Sequence, residues 1–103
     1  MARGVQTPRT AKTSPAMARA LALAGRKWSL RIVWELRVGP LSFRALRAAC
    51  GNVSPSVLAD RLHDLGDSGL VENIPRLGYR LTAGGERLFQ VLAELNKWSG
   101  ELD

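Results

Sequence analysis

Residues 53–71 read VSPSVLADRLHDLGDSGLV, and their reading decides the fold. Ser54 is a residue type that caps a helix by accepting a bond from a free backbone N–H, and Pro55 suits the first helical position. Leu58, Leu62 and Leu65 follow at spacings of four and three, which sets them on one helical face. The other face carries Ser56, Ala59, Asp60 and His63, all short, small or polar. Gly66 and Gly69 are expected to end the helix before Leu70-Val71 resume in extended form. Such a helix either turns its polar face to water or slides that face into a nucleic-acid groove. Its surroundings have to decide between the two.

Upstream, Ser42 is placed to cap a short helix, FRALRAAC, which Gly51-Asn52 closes. The brief connection from there to Ser54 is the spacing of a helix-turn-helix. Downstream, LVENI and YRLT predict two short strands joined by PRLG, with Pro75 and Gly78 as turn formers. Thr82 then caps a last helix, ERLFQVLAELNKW, with Leu88, Leu92, Leu95 and Trp98 as an apolar stripe. Before the helix-turn-helix, Ser14-Pro15 opens an alanine-rich helix, AMARALALA, ended by Gly25. KWSLRIVWELRV predicts a second helix, apolar around most of its circumference and hence enclosed, broken at Gly39-Pro40. Four helices, a hairpin and a helix make a mainly α chain with a small β-hairpin wing, a winged helix-turn-helix. Residues 1–13 are too polar to order alone and read as a disordered basic arm. Residues 14–103 form the domain, with a dimerisation helix at each end. There are no internal repeats.

Composition narrows the partners. The 103 residues carry a formal charge of +6 and a pI near 10.7, which favours an anionic partner. The charge is uneven: residues 1–52 hold ten Lys/Arg against one acid, and residues 53–103 hold five against eight. A polyanion therefore meets the first half and selected arginines of the second. Cys50 is the only cysteine, so neither an intrachain disulfide nor a cysteine-based zinc site can form, as suits a reducing cytoplasm. No apolar run approaches the roughly 18 residues of a membrane span. MARGVQTPRTAKT has no apolar segment after its basic residues, so it is not a secretory signal. His63 is the single histidine, no serine sits in a nucleophile elbow, and GRKWS lacks the spacing of a phosphate-binding loop. The reading is of a non-enzyme without metal or cofactor.

The same stretches resemble a known family. GRKWSLRIVWEL is similar to the GGKW-led segment that opens domains of the HxlR family of bacterial transcription regulators. PLSFRALRAACGNVSPSVLADRLHDLGDSGLV resembles that family's next block, and YRLTAGGERL…W its ending; together they cover about residues 14–100. The resemblance implies a homodimeric DNA-binding repressor or activator whose dimer forms through the first and last helices. It also implies a small-molecule effector for many members, including electrophiles and oxidants. The chain departs from the family in three places. Ser14-Pro15 stands where many relatives have a cysteine before proline, only ENIPRLG separates Val71 from Tyr79, and Asp60 replaces an uncharged polar residue.

These readings assign residues. Ser54, Ser56, Asp60 and Arg61 are candidates for base contacts, Asp60 by accepting from a cytosine amino group. Arg61 lies at the edge of the apolar face and could instead pair with Asp64. Arg44, Arg47, Arg76 and Arg80 are candidates for phosphate contacts, with Lys27 and Arg31 on the second helix, where Arg31 could pair with Glu35 instead. Leu21, Leu23, Leu92, Leu95 and Trp98 are candidates for the dimer contact. Trp28 and Trp98 read as core and dimer residues rather than a ligand cage, and Cys50 as a small hydrophobe rather than a thiol sensor. The expected target is double-stranded DNA bearing an inverted repeat with half-sites roughly 10 bp apart, or a multiple of that. The rivals are a winged-helix module that binds protein and a nonspecific architectural DNA-binding protein.

Overall fold

The computed structural model describes residues 13–102. The elements are α1 (Pro15–Gly25), α2 (Ser29–Glu35) continued by a 3-10 turn (Leu36–Val38), α3 (Phe43–Ala49) and α4 (Pro55–Asp67). A hairpin of β1 (Val71–Ile74) and β2 (Gly78–Leu81) follows, then α5 (Ala83–Ser99) with a closing 3-10 turn (Gly100–Leu102). This is the mainly helical chain with a β-hairpin wing that the pattern predicts. All but Thr13 of the basic arm lies outside the described residues.

Four hydroxyl caps set the helix starts. Ser14 Oγ accepts from the Met17 N–H (3.0 Å), Ser42 from Ala45 (3.0 Å), Ser54 from Val57 (3.2 Å) and Thr82 from Gly85 (3.1 Å). Each satisfies a donor that the helix itself leaves free.

Two boundaries differ from the sequence pattern. The second helix begins at Ser29 rather than Lys27, because Trp28 takes a left-handed conformation (φ 80°) and the chain is extended at Arg26. It also tightens into 3-10 geometry after Glu35, and Arg37 Nη1 donates to the Trp34 carbonyl at 2.9 Å. On α4, Gly66 does not end the helix. The chain stays helical to Asp67, and left-handed Gly69 (φ 74°) closes it with two bonds, Leu70 N–H to Leu65 O (2.9 Å) and Gly69 N–H to Gly66 O (3.0 Å). That pair of bonds is a Schellman closure.

The core gathers Ile32, Val33 and Leu36 from α2, Leu46 and Cys50 from α3, and Leu58, Leu62 and Leu65 from α4. Val71 and Leu81 join it from the hairpin and Leu92 from α5, and Trp34 meets Phe89 with ring centroids 5.6 Å apart. The hairpin pairs Val71 with Leu81 and Ile74 with Gly78. A third extended segment adds to it: Leu41 exchanges two backbone bonds with Tyr79 (2.9 and 2.8 Å), tying the approach to α3 onto the wing. Beyond the core the ends stand free. No residue of α1 is buried, and every residue from Glu94 to Leu102 is exposed, which gives the molecule its 54 × 33 × 25 Å extents.

Two glycines make opposite predictions. Gly78 has φ 108°, and a Cβ there would run into the Leu41 carbonyl, whereas Gly66 is helical and a Cβ would meet only the Val71 carbonyl at 3.8 Å. Gly78→Ala should therefore lower stability by at least about 2 kcal/mol. Gly66→Ala should raise it by up to about 1 kcal/mol through helix propensity. Thermal unfolding followed by circular dichroism checks both, and a Tm that moves in the same direction for the two variants contradicts this account.

Candidate nucleic-acid interface

With Leu58, Leu62 and Leu65 buried, the remaining faces of α4 are fixed by helical geometry. Ser56, Ala59, Asp60 and His63 are exposed on the outward side. No acidic residue occupies the first turn of α4, so the positive end of the helix dipole is uncompensated, as a phosphate contact requires. Ser54 Oγ serves as the cap and lies 3.5 Å from Ser56 Oγ, placing both hydroxyls at that end. Two acids further along have close partners. Asp64 faces Arg26 at 3.2 Å, and Asp67 Oδ2 lies 3.2 Å from His63 Nε2, leaving Asp60 as the one acid of α4 without such a partner among the described residues.

The arginines divide into two groups. Arg44, on α3, and Arg76, at the wing tip, are exposed and have no side-chain bond or ion pair among the described residues. Arg76 is held there by the turn: Pro75 precedes it, Leu77 N–H bonds to Ile74 O (3.0 Å), and Arg76 itself has φ 71°. Lys27 is exposed, its ammonium 5.6 Å from the Trp28 ring centroid. Arg19 on α1 and Arg87 on α5 are likewise exposed and unpaired among the described residues, whereas the remaining candidate arginines are engaged. Arg80 Nε bonds to Glu72 across the hairpin (2.8 Å), and Arg31 reaches both Glu35 (2.7 Å) and the Ala49 carbonyl (2.9 Å). Arg47 Nε donates to the Val53 carbonyl at 2.7 Å, so it braces the turn between α3 and α4 rather than pointing outward.

Of the two orientations open to Arg61, the structure has the inward one, beside Asp64. Its side chain is only 18% exposed, and its Nε donates to the Lys27 carbonyl at 2.9 Å, away from the outward face. Its position three residues after Leu58 and four before Leu65 already placed it toward the apolar side. Two residues assigned to a dimer contact differ from expectation. Leu92 is buried within the protein's own core and Leu23 packs against it, while Leu21, Leu95 and Trp98 are about half exposed. Met17 and Val91 share that exposure and were not picked out by the sequence reading. Arg26 was also missed, because its partner Asp64 is distant in sequence.

Cys50 is fully buried under α2. Burial pushes its thiol above the usual range, with Glu35 reinforcing the shift and the Arg31 guanidinium opposing it. Raised and enclosed, the thiol is a poor nucleophile. Among the described residues no cluster of His, Cys, Asp or Glu could hold a metal ion, and no helix is long and apolar enough to cross a membrane.

A helix-turn-helix with a polar outward helix, followed by a hairpin carrying a cation at its tip, defines the winged helix-turn-helix class. The match to known proteins is specific. Residues 23–102 fit the family described as HxlR-like helix-turn-helix, and the chain belongs to that family. It is 34% identical over 93 residues to the uncharacterized HTH-type transcriptional regulator YvaP of Bacillus subtilis, covering 84% of this chain and 86% of YvaP. A 36% match to the uncharacterized HTH-type regulator Rv3095 of Mycobacterium tuberculosis spans 81% of this chain but only 56% of that protein. The fold is shared with quinone-bound YodB of B. subtilis, with a TM-score of 0.79, 30% identity, and coverage of 86% of this chain and 99% of YodB. It is also shared with a possible HxlR family factor of Thermoplasma volcanium, with a TM-score of 0.76, 30% identity, and coverage of 88% and 86%. The chain is thus a helix-turn-helix transcription regulator and not an enzyme.

The state of Cys50 gives a direct test. In the native protein Cys50 should resist a colorimetric disulfide reagent and react fully once guanidinium unfolds the chain. Prompt reaction of one thiol per chain under native conditions would contradict the burial described here.

Proposed function

We propose that the protein is a cytoplasmic homodimeric repressor that binds an inverted-repeat operator. Helix α4 enters the major groove, and the wing rests on the flanking backbone. The observation carrying this reading is the exposed polar face of α4, unpacked and led by an uncompensated helix N-terminus. Ser54, Ser56 and Asp60 face base edges there, with Asp60 suited to a cytosine amino group. Arg44, Arg76 and Lys27 supply phosphate contacts, while Arg47 and Arg80 act through the backbone and carboxylate they already hold. Residues 14–103 make up the domain, and Arg3, Arg9 and Lys12 ahead of it add cations for further phosphates.

The dimer forms through α1 and α5. Met17, Leu21, Val91, Leu95 and Trp98 expose apolar surface on the two helices that stand off the core, and a second copy is the partner that buries it. Any effector acts without thiol chemistry, since the one cysteine is enclosed and serine precedes Pro15.

The test is fluorescence anisotropy with the full chain, on duplexes recovered by in vitro selection. The selected sequences should share an inverted repeat, and affinity should fall steeply with salt. Arg44→Ala and Arg76→Ala should weaken every duplex alike and each lessen the salt slope by about 0.9. Arg76→Gly, which relieves the left-handed backbone, should weaken binding equally while raising Tm, separating the cation from the fold. Equal affinity for scrambled duplexes would point to an architectural protein, and absence of binding near 50 mM salt would refute the DNA-binding reading.

A further inference from the structure

Helix α1 has no fully buried residue and only Leu23 packs against the core, so apolar packing constrains its direction at a single point. It meets the rest of the molecule at the joint formed by Arg26, Lys27 and Trp28, where the chain is extended at Arg26 and left-handed at Trp28. That joint is fastened to α4 by charged groups. Arg61 Nε donates to the Lys27 carbonyl at 2.9 Å, Arg26 Nη2 stands 3.2 Å from Asp64 Oδ2, and Arg61 Nη1 approaches the same oxygen at 3.9 Å. Between α1 and α4 lies a cleft of about 340 Å³ rather than a packed seam, with Arg19 and Arg26 on one wall and Asp64 and Asp67 on the other. Leu23 is the one side chain of α1 that packs against the core, and the Arg61–Lys27 hydrogen bond and the Arg26–Asp64 ion pair supply the remaining ties between the joint and α4.

We propose that Arg26, Arg61 and Asp64 are positioning residues that lock the angle between α1 and the recognition helix α4. They thereby set the separation of the two recognition helices and the operator spacing the dimer accepts. The proposal rests on the dimer reading above, in which α1 carries the contact between copies. None of the three touches DNA in this role. Arg61 cannot do so while its guanidinium faces the joint, and Asp64 would repel phosphate were it not turned to Arg26. Exposed ion pairs add little to stability, so the effect of the tie lies in geometry.

The separation can be measured by double electron–electron resonance on the full chain, spin-labelled through Ser56→Cys with enclosed Cys50 left in place. The parent should give one narrow distance distribution, near one turn of DNA or roughly 34 Å. Arg26→Ala and Asp64→Asn should at least double its width while dimer mass by sedimentation and Tm stay unchanged. Arg26→Lys, which keeps the charge, should restore most of the narrowness. Arg26 is half exposed, so its truncation leaves the core intact. On the selected inverted repeat, the loss on adding or removing two spacer base pairs should drop from about tenfold in the parent to under threefold in Arg26→Ala. A dimeric parent whose variants keep both the narrow distribution and the spacer preference overturns the proposal alone. A parent that sediments as a monomer without a dipolar signal overturns the dimer reading and the proposal with it.

Discussion

The burial of Leu58, Leu62 and Leu65 is the constraint on which the rest of this molecule depends. Each side chain removes apolar surface from water worth about 1.5–3 kcal/mol, a large share of the core of a chain this short. Because the three lie on one stripe, burying them also fixes the rotation of α4 about its own axis. Ser56, Asp60 and His63 are then exposed with no further device. The partners of the stripe are Ile32 and Val33 on α2 and Leu46 on α3, so the enclosed second helix is the anvil against which the helix-turn-helix is set. Arg47, bonded to Val53 O, and the Ser54 cap then determine where α4 begins.

Charge works on a second level. The acidic second half opposes a polyanion less than its formal charge suggests, because Asp64, Glu72 and Glu94 of its eight carboxylates are matched locally. Asp64 is matched by Arg26, Glu72 by Arg80, Glu94 by Lys97, and Asp67 stands beside His63. The same pairs withdraw arginines from the pool that could meet phosphate. In the proposed complex the number of phosphate contacts is therefore smaller than the count of basic residues suggests, and Arg44 and Arg76, exposed and unpaired near α4, carry more of its electrostatics than their number implies. On the outward face of α4, Asp60 has no partner among the described residues. In the proposed complex an unpaired acid there penalises any duplex and is offset only where a base amino group faces it, which favours discrimination over raw affinity.

How much of this was legible in the sequence follows the range of the interactions. The caps at Ser14, Ser42, Ser54 and Thr82 were readable because a hydroxyl and an N–H three residues on are neighbours along the chain. The apolar stripe of α4, the wing and the family motifs were equally local. What escaped was tertiary. The left-handed Trp28 and the Leu41–Tyr79 bridge arise where distant segments meet, and Gly66 stays helical because Gly69 closes the helix in its place. Arg61 differs for another reason: its angle left it free to reach outward or to pair with Asp64, and only the fold brings the Lys27 carbonyl within its reach. Leu92 and Leu95 share one stripe on α5, yet the core ends between them, and no periodicity marks where a core ends.

That ending bears on α1 and α5. An isolated 11-residue helix is marginal in water even when alanine-rich, and α1 has no buried residue of its own to add tertiary support. Its alanines and the Ser14-Pro15 start favour the helix locally, but Met17 and Leu21 gain nothing from it until another surface covers them. The outer turns of α5 are in the same position, with Leu95 and Trp98 half exposed while Leu92, one turn earlier, is buried. Under the dimer reading, both helices are completed by the second copy, and folding of the ends is coupled to association. A domain that carries its recognition helix on its own core and its outer helices on a shared one can vary the relation between copies without unfolding the reader. In such an architecture the joint at Arg26–Trp28, where charged groups meet α4, is the proposed control on how firmly that relation is held.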